Sequence, residues 1–477
     1  MHLISVRKVA GNFPFLRFMR LNRYLVLALV AVLLLAVGGG FYWISLPRLV
    51  SFAPQSSPLG AAPNEPLVLE FSTPMNAETV VSRLQVSPTV SLKMTVEGTR
   101  LIFSPASPWL NGQVVSVKLD AGALSTGLIP LPVSEATRWK FTVRPVLLAY
   151  LWPVSGSPDL YALSPLSGQI VRLTQDAAVR DFAVSADGQW IYYTHDLPVG
   201  GSQILRIGRT LDPASLAKPE VILSCPAVTC RSVRVSPDGN WLAYEHAPIN
   251  PTPGSAEVAV WVLDLRSSAA RSLAPEAEVT RYPRWADTGA LAVYNATRQV
   301  YQVYFAGAGN VLEFPNQLGD PGAWEAGGQA WVASEYFEEV QNLLDPTSSG
   351  HLMRYSLEQS GQVLDLTQAN NIEDTQPVFS PDGRLLAFAR KYLDPQRWRA
   401  GWQLWVMQKN GLDGRALKED PFYIYYDFAW SPDSAQIAFV RFNQAILTDP
   451  AELWLINADG SNPVQLVIGG YNPQWIP

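Results

Sequence analysis

Four histidines (His2, His195, His246 and His351) and two cysteines (Cys225 and Cys230) are the only residues of their types in 477. No histidine pair has the H-E-x-x-H spacing that sets two ligands on one helix face, so no metal site is expected. His195 and His246 each follow a second apolar strand of a repeat, and read either as surface or packed histidines or as a functional pair. The cysteines stand as C-P-A-V-T-C. In an exported chain such a pair closes a small local disulfide; free thiols or a weak metal site are the alternatives. Nucleophilic catalysis finds no G-x-S-x-G elbow, and nucleotide binding finds no glycine-rich loop opening a helix. The run Asn457 to Asn462 lacks the twelfth-position glutamate and flanking helices of a calcium loop, so it reads as a hairpin. No cofactor and no enzyme activity are expected. Hydrolysis of sugars would need two carboxylates facing each other about 5 to 10 Å apart. A sequence cannot place them, so an enzyme acting on cell-wall sugar or peptide is kept as an alternative.

Binding has better candidates. The insert from Lys391 to Trp402 carries Tyr392, Arg397, Trp398, Arg399 and Trp402, residue types enriched where partners bind. Tyr423, Tyr425 and Tyr426 precede the next inner strand. The competing reading is that these aromatic rings pack between repeats. A third insert, Glu335 to Asp345, reads as a short acidic helix or a solvated loop.

The elements that would position these residues recur. An apolar residue before a polar turn stands at Val184, Val235, Trp285, Trp324, Phe379, Trp430 and Trp475, at intervals of 51, 50, 39, 55, 51 and 45 residues. Such a period with several strand-like runs per repeat is the pattern of propeller blades. Ser-Pro-Asp-Gly follows the marker at Ser236 to Gly239 and Ser380 to Gly383, with variants beginning at Ser185 and Ser431. Proline presets one turn angle, aspartate accepts hydrogen bonds from the amides that follow, and glycine takes a positive φ. Asp187, Asp238, Asp382 and Asp433 are therefore read as turn-builders, with a ligand role the alternative. These residues, over 146–477, resemble the TolB-type propeller repeat, and the resemblance implies a protein-interaction platform. Val146 to Trp152 looks like a second strand lacking a first, and the terminal Pro473 to Ile476 like a first lacking a second. Pairing them gives seven blades, or six if the Trp324 repeat is an insertion.

Residues 51–145 alternate apolar and polar in about seven short runs, which fits one antiparallel sandwich. Phe71 to Met75, Leu101 to Pro105, Gly112 to Leu119 and Lys140 to Val143 resemble the bacterial Ig-like family, and the resemblance implies a spacer or adhesive surface. Tyr24 to Leu46 is uncharged and long enough to cross a bilayer as a helix. Basic residues precede it, which predicts a cytoplasmic tail at 1–23, an anchor at 24–46 and an extracytoplasmic remainder; a cleaved signal peptide is the alternative. The net charge of −6 disfavours a nucleic-acid partner.

The sequence thus predicts an all-β protein of the cell membrane, single-pass: an Ig-like β-sandwich, then a seven-bladed (alternatively six-bladed) β-propeller. The expected role is binding a protein partner in the cell envelope or at the surface, with the sandwich as spacer. The alternatives are the cell-wall polysaccharide or peptide enzyme, with acidic residues in the propeller channel, and a structural surface protein.

Overall fold

Strands begin where the alternation predicts them, and the pattern of burial says which of their faces is covered. In Leu67–Phe71 every second side chain is buried, the mark of a sheet with one face on a core. In Leu291–Asn295 every side chain is buried, which needs neighbours on both faces. The computed structural model describes residues 27–34, 45–56, 60–249, 258–275, 277–305, 311–339, 347–358 and 362–477. The chain divides into two units, residues 1–109 with 113–143, and residues 110–112 with 144–477.

The first unit is a sandwich. One sheet runs in the order Leu49–Ala53, Leu67–Phe71, Arg100–Pro105, Leu92–Glu97, and the other Leu84–Ser87, Val114–Leu119, Thr137–Thr142. Leu69, Phe71, Leu101 and Phe103 of the first sheet share a core with Val115, Val117 and Phe141 of the second. Trp109 closes that core, its ring edge-on to Phe141 and its Nε1 donating to the Glu65 carbonyl at 2.9 Å.

In the second unit the described residues form seven groups of four antiparallel strands, spanning 179–225, 228–272, 280–315, 323–365, 372–418 and 423–468, with a composite at 147–172. We number them first to seventh in that order. The composite group takes its inner strand, Tyr471–Ile476, from the far end of the unit; Trp475 pairs with Leu148 and Ile476 with Leu147. The fourth and fifth share one sheet through a single parallel pairing, Gly350 with Glu373. Inner strands of successive groups touch, and that of the seventh touches that of the first, so the groups close into a β-propeller. Closure pairs two edges that would otherwise be free. Antiparallel order sends the turns between first and second strands and the hairpins between third and fourth to one face, the turn face. Loops between second and third strands, and the links between groups, lie at the other, the loop face.

Two expectations are corrected. No helix among the described residues is long and apolar enough to cross a membrane, which removes the support for a single-pass location at the cell membrane. Of the expected anchor, 27–34 is helical, and most of the rest, like the tail at 1–23, lies outside the described residues. The acidic insert does not start as a helix or loop: Glu335 to Glu339 continue the strand Ala330–Glu339, paired with Thr347–Ser356. Residues 340–346 lie outside the described residues.

Candidate functional site

Four turns show what the repeated aspartates do. Ser380 Oγ donates to Asp382 at 2.6 Å, Asp382 accepts from the Arg384 amide at 3.1 Å, and the Leu385 amide donates back to Ser380 Oγ at 3.0 Å. Asp187, Asp238 and Asp433 repeat this arrangement with Ser185, Ser236 and Ser431. Each carboxylate is turned into its own loop. In the fourth group Glu325 takes the serine's place and is buried, bound to Arg354 at 2.6 Å and to Lys409 of the fifth group at 2.8 Å.

On the loop face, the fifth group gathers part of the aromatic insert. Lys391 Nζ lies 5.1 Å from the ring centre of Trp402 and 6.0 Å from that of Trp398. Arg397 lies 4.1 Å over Tyr392, its Nε held by Asp394 at 2.8 Å. Arg399 donates to the Trp398 carbonyl at 2.9 Å. Trp398 is 53% exposed, whereas Trp402 packs onto the core between the fifth and sixth groups. Gly401 lets the insert close onto the sixth group: a Cβ there would stand 2.5 Å from Ile424 Cγ1, and the Tyr425 amide donates to the Trp402 carbonyl at 2.9 Å.

The tyrosine run is not one surface. Tyr423 is half-buried under Arg441, 4.2 Å away. Tyr425 is fully buried against Phe439, its hydroxyl pushed up to about 12 by burial, so it cannot meet a partner. Tyr426 packs beside Leu148 and Tyr150 at the border with the seventh group.

Cys225 and Cys230 are bonded and tie the last strand of the first group to the first strand of the second. His246 stacks on Trp261, with ring centres 4.8 Å apart. His195 Nε2 stands 3.9 Å from Asp176. Asp459 accepts from the Ser461 amide at 2.8 Å and so caps its own hairpin.

Sequence reasoning named the ring's channel only as a place for an enzyme's acid and base, and missed the polar belt around it. Inner strands carry a β-bulge at a constant place, with positive φ at Ser232, Tyr282, Gln376, Asp427 and Asn472. Polar groups there link neighbour to neighbour. Asp181 accepts from the Ser232 amide at 2.8 Å, Glu245 from the Tyr282 amide at 2.8 Å, and Asp427 from the Asn472 amide at 3.2 Å. Gln474 Nε2 donates to the Phe182 carbonyl at 2.7 Å across the closing joint. The marker tryptophans join the same belt: the indoles of Trp285, Trp324, Trp430 and Trp475 each donate to an inner-strand carbonyl of the preceding group, at 2.9 to 3.1 Å.

Two arginines complete the channel. Arg234 and Arg284 occupy the same register on adjacent inner strands, paired with Ala243 and Ala292. Glu245 of the second group and Asp427 of the sixth both attract the Arg284 guanidinium. Burial raises the carboxyls of Asp181 and Asp427, and neighbouring Arg234 together with burial pushes Arg284 down to about 9. Aligning the repeats column by column would have found the pair, because the other groups place Ala183, Ala323, Val378, Ala429 and Gln474 at that register.

A profile of the bacterial Ig-like domain matches residues 45–143. No curated protein matches the chain. Among solved structures, TolB from Acinetobacter baumannii is 13% identical with a TM-score of 0.43, over 83% of this chain and 83% of that one. The β-propeller domain of the Trilobed protease from Pyrococcus furiosus is 12% identical with a TM-score of 0.45, over 75% of this chain and 93% of that one. Pyrococcus horikoshii acylaminoacyl peptidase is 12% identical with a TM-score of 0.45, over 75% of this chain and 51% of that one. Likenesses this slight carry no argument about activity or partner.

Proposed function

We propose that the chain is a protein-interaction module: a seven-bladed propeller whose loop face binds a protein partner, with the Ig-like unit as spacer. The observation that carries the reading is the cluster around Lys391, where cations lie over aromatic rings and Trp398 remains half in solvent. Arginine and tryptophan are the residue types that supply most binding energy at interfaces. Val199, Phe422 and Leu447, also at loop-face connections, are exposed too. A binding role is favoured over catalysis because the channel carboxylates already hold backbone amides of the next group, which is the work of a clasp.

Crosslinking pull-down with the full chain tests this, run beside a variant combining Arg397→Ala and Trp398→Ala. A partner recovered by the native chain and lost with the variant supports the reading; equal recovery by both removes the insert from the interface. If no protein crosslinks to either, and wall polysaccharides or peptides are cleaved instead, the reading fails in favour of the enzyme.

A further inference from the structure

Arg234 and Arg284 are not explained by the architecture of the ring. The register they share is filled elsewhere by alanine, valine and glutamine, so no blade requires an arginine there. The small Ala243 and Ala292 paired opposite leave room for the long side chains. Both arginines are largely screened from solvent.

Their hydrogen-bonding capacity is mostly unused. A guanidinium has five N–H donors in a rigid fork. Among the described residues, Arg234 makes one side-chain hydrogen bond, Nη1 to the Val233 carbonyl at 2.6 Å, and Arg284 makes none; neither stands in an ion pair. The acids within reach have committed oxygens elsewhere: Asp181 to Ser232 and Val233 amides, Glu245 to the Tyr282 amide, Asp427 to the Asn472 amide. Asp181, Glu245 and Asp427 partly offset the two cations, yet among the described residues none stands within ion-pair distance of either, so the free donors can still be taken up by an anion between them.

We propose that Arg234 and Arg284 form an anion site in the channel, binding an oxyanion, a carboxylate or phosphate group, in the fork of two guanidiniums. Arg234 nearby and burial make Arg284 easier to deprotonate, and a bound anion would oppose both. The site is separate from the loop-face cluster, and either can fail alone.

The test is thermal unfolding of the full chain at pH 7.5 in rising inorganic phosphate, with sodium chloride holding ionic strength constant, and a parallel series in acetate. The expected result is a saturable rise in midpoint with one or both anions, half-maximal on the order of 1 mM, as preferential binding to the folded state requires. Which anion acts separates a phosphate ligand from a carboxylate. Arg284→Gln and Arg234→Gln should each weaken the response about tenfold or more. Should either variant fold poorly, line broadening of the phosphate ³¹P signal by the native chain and the surviving variant decides the matter. No saturable response to either anion in the native chain overturns the proposal, and so does a response that both variants retain in full.

Discussion

At the turn face Ser185, Ser236, Ser380 and Ser431 each bond the aspartate two residues on, while at the loop face Lys391, Arg397 and Arg441 lie over aromatic rings. The first kind of contact is local, short and directional, and fixes the hand-over from one strand to the next. The second is broad and tolerant of small shifts, and leaves one side of the ring exposed. A turn of four residues has no spare surface, so sequence change there registers as stability. Loops such as 393–402 leave the sheet and return to it, so change there can register as binding alone.

The contrast can be broken in four places, in falling order of effect. Glu325→Ala removes a buried carboxylate facing Arg354 and Lys409, and should cost about 2 to 3 kcal/mol in urea unfolding, because part-buried Arg354 is left without its partner. Recovery of the partner by the folded variant should be unchanged. Asp382→Ala strips a turn of the Ser380 and Arg384 bonds and should cost about 1 to 2 kcal/mol; a loss as large as that of Glu325→Ala would show that the turn does more than join two strands.

The third place lies on the loop face, where His351 behaves like a turn-face clasp. Its Nδ1 meets Asp365 at 2.7 Å and its Nε2 meets the Ala369 carbonyl at 2.8 Å, so both nitrogens need a proton. The Asp365 carboxylate raises the ring above its ordinary value of 6.5, and Asp374 adds to this. A raised folded value means the contribution is whole below about pH 6.5 and is lost as pH rises through the folded value. Denaturant midpoints measured from pH 6 upward should therefore fall in the native chain, and His351→Gln should flatten that slope. A slope that survives the substitution would assign it to other groups. Smallest of all, Trp398→Ala should change stability by less than about 0.5 kcal/mol, since half its ring is already in water. A larger loss would make the insert part of the ring's packing instead of its binding face.

Much of the fold is legible in the sequence because the ring repeats. Markers recur at near-constant spacing, and the orphan strands at Val146 and Trp475 announce each other. What was not legible depends on a bulge. One extra residue between Tyr426 and Ala429 resets the alternation, so Tyr425 goes to the core while Asp427 takes the Asn472 amide of the next group. No period in the sequence marks that step. The marker tryptophans likewise read as apolar, yet each indole N–H is a tie to the group before it. Arg234 and Arg284 look like surface arginines until the ring sets them at one register on adjacent inner strands.

The composite group also has a consequence in time. Leu151 and its partner Tyr471 are separated by 320 residues of chain. At about 5 to 20 residues per second, a ribosome needs roughly 15 to 60 s to pass from one to the other. Through that interval Leu147–Trp152 has no inner neighbour, and a chain cut short before Tyr471 never acquires one. The last joint thus separates chains that have reached Ile476 from those that have not, the shorter ones presenting to the cell's proteases and chaperones an open edge that this strand covers.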